Sequence, residues 1–165
     1  MDTYTPSLLD KLLGADGGNQ RGGGTAPRFS VEQVKESVAR DIEMLLNAHA
    51  PYEAEELHGL PHLAQSLLTL GLPDITSMSM ASDRDRRRIT DSLRKALTDH
   101  DKRLTQVDVR VRDNAPGTAG LAFSIRAKLL LNPSVEPVSF DAVLQPGSNR
   151  YAVTKASRPA SPENP

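Results

Sequence analysis

The feature that most constrains this 165-residue sequence is a change of hydrophobic period near Asp101. Before it, apolar residues recur at spacings of three and four, as along one face of a helix; after it they alternate, as along one face of a strand. Val31, Val34, Val38, Ile42 and Leu45 form one helical stripe. The Ser30–Gln33 spacing is that of a capping box and predicts a helix from Ser30 to about Asn47. Ile89, Leu93, Ala96 and Leu97 form a second stripe. Ser82 is placed to cap it, with Asp83 and Asp85 near the positive end of the helix dipole. Between the two, a short helix is expected from Pro61, carrying Leu63, Leu67 and Leu70. Gly71 is its natural stop, and Pro73 prevents continuation.

Past Asp101, Val107, Val109 and Val111 share one face while Gln106, Asp108, Arg110 and Arg112 share the other. Asp113-Asn-Ala-Pro-Gly117 reads as a turn. Ala119, Leu121, Phe123, Ile125, Ala127 and Leu129 then alternate with more polar residues until Asn132-Pro133 breaks the run. Val138, Phe140, Ala142 and Leu144 mark a third strand, and Tyr151 with Val153 a short fourth. Helices followed by hairpin-linked strands predict an α+β fold, with N-terminal helices packed on one face of a small, mainly antiparallel four-stranded sheet.

The ends have a different composition. Leu8, Leu9, Leu12 and Leu13 would form one apolar patch on a short helix, a segment too short to be stable alone in water. Six of the eleven glycines follow between Gly14 and Gly24, the composition of a flexible linker. A phosphate-loop reading of that stretch fails, because no strand precedes it and no Gly-Lys-Ser/Thr follows. The expected division is therefore 1–29, a docking helix plus linker; 30–155, the α+β domain; and 156–165, a proline-rich disordered tail.

Composition removes several chemistries. With no cysteine there are no disulfides, thiolate metal sites or cysteine nucleophiles. Twenty Lys plus Arg against 21 Asp plus Glu, with 4% aromatics and no Trp, argue against a nucleic-acid partner. No apolar run approaches the roughly 20 residues needed to span a bilayer, and the N-terminus lacks the basic and apolar regions of a secretory signal. Direct membrane insertion is not expected, and the default location is the cytoplasm. His58 and His62 are four apart, but Gly59 and Pro61 interrupt any helix that could present both to a metal beside Glu53, Glu55 and Glu56. His49 and His100 fall at predicted helix ends, where a polar residue is ordinary. There is no Gly-x-Ser-x-Gly elbow, and no carboxylate pair is placed as in a glycosidase. No cofactor is implied. The run Asp83-Arg-Asp-Arg-Arg-Arg88 reads as a solvated helix start with local ion pairs, or as a surface presenting Arg86 to Arg88 to a partner.

Four segments in order resemble TssE, a baseplate subunit of the type VI secretion system. Pro6-Ser-Leu-Leu-Asp-Lys-Leu-Leu13 resembles the family's N-terminal signature, and Val38-Ala-Arg-Asp-Ile-Glu-Met-Leu-Leu-Asn47 its Arg-Asp-Leu-x-x-Leu-Leu-Asn helix end. Ser66-Leu-Leu-Thr-Leu-Gly-Leu-Pro-Asp74 is similar to its Ser-x-x-x-Tyr-Gly-Leu-Pro-Asp, with Leu70 in the tyrosine position. His100-Asp-Lys-Arg-Leu104 stands where the family has Phe-Glu-Pro-Arg-Leu, retaining an acid at 101 and the arginine at 103. That family is similar to the baseplate wedge protein of contractile phage tails, which often carries a "lysozyme-like" label.

The resemblance implies a structural component and not an enzyme. It implies wedge subunits TssF and TssG as partners, TssK above them, and the sheath subunits TssB and TssC, at the cytoplasmic face of the inner membrane. The chain itself is expected to be monomeric in isolation. A sheet edge could seed the sheath by strand pairing. The strand from Val135 to Leu144, with Ser139 and Asp141 facing solvent, or the Tyr151 strand, is expected to provide that edge. Asp101 and Arg103 are expected either to form a local ion pair at the helix-to-strand corner or to contact a partner. Leu8, Leu9, Leu12 and Leu13 are expected to dock on a wedge subunit. The alternative is a regulatory binding protein resembling the anti-adaptors that share this fold.

Overall fold

Helix α1 (Val31–Asn47) starts where the capping box places it: the Ser30 hydroxyl accepts from the Gln33 amide at 3.3 Å, and Gln33 Oε1 accepts from the Ser30 amide at 2.8 Å. The structure, a computed structural model, describes residues 30–52, 56–57, 59–60, 62–63, 66–73, 78, 82–112, 121–131, 134–145, 147–148 and 150–156. The N-terminal leucines, the glycine-rich stretch, His58, Pro61, residues 113–120, Asn132-Pro133 and residues 157–165 lie outside the described residues. Helix α2 (Asp83–His100) is capped by the Ser82 hydroxyl, which accepts from the Asp85 amide at 3.3 Å. It buries Ile89, Leu93, Ala96 and Leu97, the stripe read from its periodicity.

The segment between the helices differs from expectation. Among its described residues a three-residue 3-10 turn runs over Leu67–Thr69, and no residue of that turn is buried. Leu67 is 81% exposed and Leu70 is half-buried, so these leucines do not form a buried helical face. The reason lies just downstream. Gly71 adopts φ +115°, and the chain then runs extended beside the end of α1. There the Leu72 amide donates to the Ala48 carbonyl at 3.0 Å and the Ala50 amide donates to the Leu72 carbonyl at 3.1 Å. The core receives Leu72, 5% exposed, from this segment.

Strands β1 (Leu104–Arg112), β2 (Leu121–Leu131), β3 (Ser134–Gln145) and β4 (Arg150–Lys155) form an antiparallel meander in the order β1-β2-β3-β4. Phe123, Ile125 and Leu129 of β2 and Phe140 and Ala142 of β3 point to one face, all at 1% exposure or less. The helices cover that face, α2 lying against β1 and α1 against β4. Burying each of those large side chains contributes roughly 1.5–3 kcal/mol, so the shared face is the main source of stability.

One irregularity makes the first strand fit. The pairs Thr105–Lys128 and Asp108–Arg126 leave Gln106 and Val107 together opposite Ala127, a β-bulge with Gln106 at φ +52°. Strict alternation would put Leu104 and the odd-numbered valines on opposite faces. The extra residue switches the parity, so that buried Leu104 and Val109 face the same core.

Candidate assembly interface

Asp101 caps the C-terminus of α2, and two residues later Arg103 turns the chain into β1. Asp101 Oδ1 accepts from the Arg103 main-chain amide at 3.0 Å and from Nε at 2.9 Å; Nη2 donates to Asp101 Oδ2 at 2.8 Å and to Asp41 Oδ2 of α1 at 2.6 Å. The Arg103 carbonyl accepts from the Leu130 amide at 2.8 Å, tying the corner to β2. Burial opposes a charged guanidinium, yet the hydrogen bonds and charges of Asp101 and Asp41 outweigh it and hold Arg103 above the ordinary arginine range. The corner thus has the local ion pair that Asp101 and Arg103 suggested. Asp41, which sequence reasoning did not single out, is its third member.

Beside this clamp lies an apolar hollow of about 570 Å³, lined by Ile42, Met44, Leu45 and Leu70 and rimmed by Lys102. Met44 is 46% exposed. Asp41 and Met44 belong to the segment 38–47, Leu70 to 66–74, and Asp101 to Arg103 to 100–104. Three stretches distant in sequence therefore converge on one corner, which offers a partner an apolar depression with charges at its rim.

The sheet edges are the second candidate surface. The Ala156 amide donates to the Ser139 carbonyl at 2.9 Å, so the odd-numbered residues of β3 turn their main-chain groups toward β4. Residues 151 and 153 of β4 then face outward, and α1 occupies them. Asn47 Oδ1 accepts from the Tyr151 amide at 2.9 Å, its Nδ2 donates to the Tyr151 carbonyl at 2.8 Å, and Glu43 Oε2 accepts from the Val153 amide at 2.8 Å. The Tyr151 strand is thus an edge already guarded by two helix side chains. β3 is an interior strand from Ser139 to Gln145: Asp141 pairs with both Ser124 and Thr154 and takes an ion pair from Arg112 at 2.7 Å. The expectation that Ser139 and Asp141 stand at an open edge is therefore corrected. Carrying the alternation across the sheet leaves the main chains of Val109 and Val111 of β1 facing outward. Among the described residues nothing hydrogen-bonds them. Among the described residues β1 is thus an open edge, and so is the start of β3, Ser134–Val138, which extends beyond its pairing with β4.

Tyr151 also carries a hydroxyl that is buried with no partner among the described residues, while its ring lies 6.2 Å from that of Phe123. Burial pushes its pKa up to about 12 from 10.0. Between these values the unfolded chain releases a proton that the folded one retains, so stability falls as pH rises from about 10 to 12. Tyr151→Phe is expected to leave stability at neutral pH unchanged or slightly raised, since no hydrogen bond to a described residue is lost. It should also flatten that alkaline decline in urea titrations run across the pH window.

A helix-covered meander with an apolar corner hollow and an unpaired strand edge has the surfaces by which proteins bind other proteins. A family model described as baseplate wedge protein gp25 matches residues 32–134, well over half of the chain, and the protein belongs to that family. Comparison with curated proteins finds no match. The baseplate resemblance read from residues 38–47, 66–74 and 100–104 is borne out, and all three segments lie within the matched range. The family is one of structural baseplate proteins, which places the chain in a baseplate complex through protein–protein contacts. Among the described residues no helix is long and apolar enough to cross a membrane.

Proposed function

We propose that the chain is a TssE-type subunit of a contractile type VI secretion baseplate, joining a TssF/TssG wedge beneath TssK and helping to seed the TssB/TssC sheath. The family match carries the baseplate reading, and the segment Pro6–Leu13 favours the secretion machine over a phage tail. In this reading the chain acts at the cytoplasmic face of the inner membrane. The corner hollow at Asp101 and Arg103 is a wedge contact, and Leu8, Leu9, Leu12 and Leu13 dock from a tether that sets their effective concentration. Co-expression with wedge subunits of the TssF and TssG types, followed by affinity purification and size-exclusion chromatography, tests it. A stable co-eluting complex is expected; a monomer that ignores both subunits would reject the reading and favour an anti-adaptor-like regulator. Removing residues 1–24 should leave a folded domain that co-elutes poorly.

Sheath seeding by strand addition is assigned in this reading to β1, where the main chains of Val109 and Val111 face outward with no partner among the described residues. Val111→Pro removes an outward N–H while the ladder to β2 keeps its bonds, so the fold should survive and sheath nucleation should stop. Asp141→Pro makes the contrast, since it deletes a ladder bond to β4 and should destabilise the sheet by about 3 kcal/mol. Normal sheath assembly with Val111→Pro would remove β1 from the mechanism.

A further inference from the structure

The cations of α2 divide into two sets. Arg86 pairs with Asp83, Arg94 with Asp91 at 2.7 Å, and Lys95 with Asp99 at 2.7 Å. Arg84, Arg87 and Arg88 are exposed and make no hydrogen bond or close ion pair with any of the described residues, though, after the hydrogen bond from Arg86, the Arg87 charge helps to hold the Asp83 carboxyl below its ordinary range. Arg88 also lines a groove of about 490 Å³ between α2 and the 48–52 and 69–73 segments, with Tyr52, Met78 and Ala96 among its walls. Positions 84, 88, 92 and 96 follow one another at helical spacing, so arginine cations and groove floor lie on one stripe of α2. Asp91 and Asp99, which also line the groove, are each neutralised by a cation on the same helix, and His100 Nε2 is engaged by the Thr69 carbonyl at 2.9 Å. Among the described residues the unpaired charge at this groove is therefore positive, next to apolar surface that includes Tyr52, 48% exposed.

We propose that this groove docks a short acidic segment of a protein partner. An aliphatic or aromatic side chain of that segment fills the hollow, while its neighbouring carboxylates meet Arg88, Arg84 and Arg87. Guanidinium groups engage carboxylates through two parallel N–H···O bonds, which gives this pairing direction as well as charge. The apolar hollow distinguishes the site from a generic anion surface. The overall charge of -1 and the scarcity of aromatics favour a protein segment over a nucleic acid. The site goes beyond the baseplate reading, because it holds whichever assembly the chain joins.

The probe is a fluorescein-labelled peptide, Glu-Asp-Glu-Leu-Phe-Glu-Asp, titrated with the full chain by fluorescence anisotropy. Saturable binding is expected, weakening as salt is raised. Arg84→Ser with Arg88→Ser should weaken it about tenfold or more. Ser92→Trp, which obstructs the hollow and leaves every arginine in place, should also weaken it. So should a peptide with Ala in place of Leu and Phe. Arg88→Glu should lose the acidic peptide and gain affinity for its Lys-substituted counterpart. Thermal melting of each variant verifies the fold, since the substituted arginines are exposed. Absence of saturable binding, indifference to the arginine substitutions, or tighter binding of duplex DNA or phosphatidylglycerol vesicles than of the peptide would each overturn the proposal.

Discussion

Gly71→Ala is expected to cost about 3–5 kcal/mol and to lower the melting temperature by roughly 10–15 °C. At φ +115° an L-residue is strained wherever it stands, and here a Cβ would also collide with the Ala48 carbonyl. The clash is with backbone, so no side chain can swing aside. The chain must either hold the overlap or withdraw residues 71–72 from the end of α1. Withdrawal breaks the two main-chain bonds to Ala48 and Ala50 and exposes Leu72, itself worth roughly 1.5–3 kcal/mol. Gly59 and Gly147 provide the control. Both have positive φ, at +84° and +87°, but open space where a Cβ would go. Alanine at either should cost only about 1 kcal/mol, the strain without the collision. Thermal melts of the three variants separate the contributions, and equal losses at all three would refute the steric argument.

Arg103→Ala should cost about 2–3 kcal/mol. Breaking a fully buried ion pair costs roughly 3–5 kcal/mol, and partial solvent access reduces that here. The side chains of Arg103, Asp41 and Asp101 retain 32%, 19% and 11% exposure. What makes the loss large is the pair of carboxylates left facing each other without their cation. Arg103→Lys should recover less than half of it, because one ammonium cannot reproduce the fork that serves both acids. Adding Asp41→Asn to Arg103→Ala should relieve part of the damage, an interaction that a double-mutant cycle would measure. The same variants divide the two roles open to this corner. A large melting loss identifies the clamp as structural; unchanged melting with loss of co-elution from wedge subunits identifies it as contact surface.

The two long helices and most core-facing residues of the four strands were legible because their signals are local. Ser30 and Gln33 lie within one turn, and the alternation through Phe123, Ile125 and Ala127 needs no knowledge of what lies opposite. The corner and the edges were not legible, because their partners are remote. Arg103 finds Asp41 across 62 residues, and Asn47 finds Tyr151 across 104. Without that second contact the Tyr151 strand looks open and Ser139 and Asp141 look peripheral. The bulge escaped notice for a different reason: Leu104 precedes the valine alternation with the wrong parity, a mismatch that is itself the sequence signal of an inserted residue. Leu63, Leu67 and Leu70 misled because spacing at three and four was weighed without the positive φ that Gly71 requires immediately afterwards.

The contacts from Asn47 and Glu43 to the outer side of β4 also bear on how the chain survives its own synthesis. A ribosome delivers α1 about a hundred residues before the final strand. The last strand to emerge therefore meets a waiting pair of side chains that occupy its outward amides as soon as it closes the sheet. A nascent edge left open during that interval is a site where neighbouring copies join strand to strand. Variants lacking both helix side chains should accordingly appear in inclusion bodies more than their melting temperatures alone would suggest.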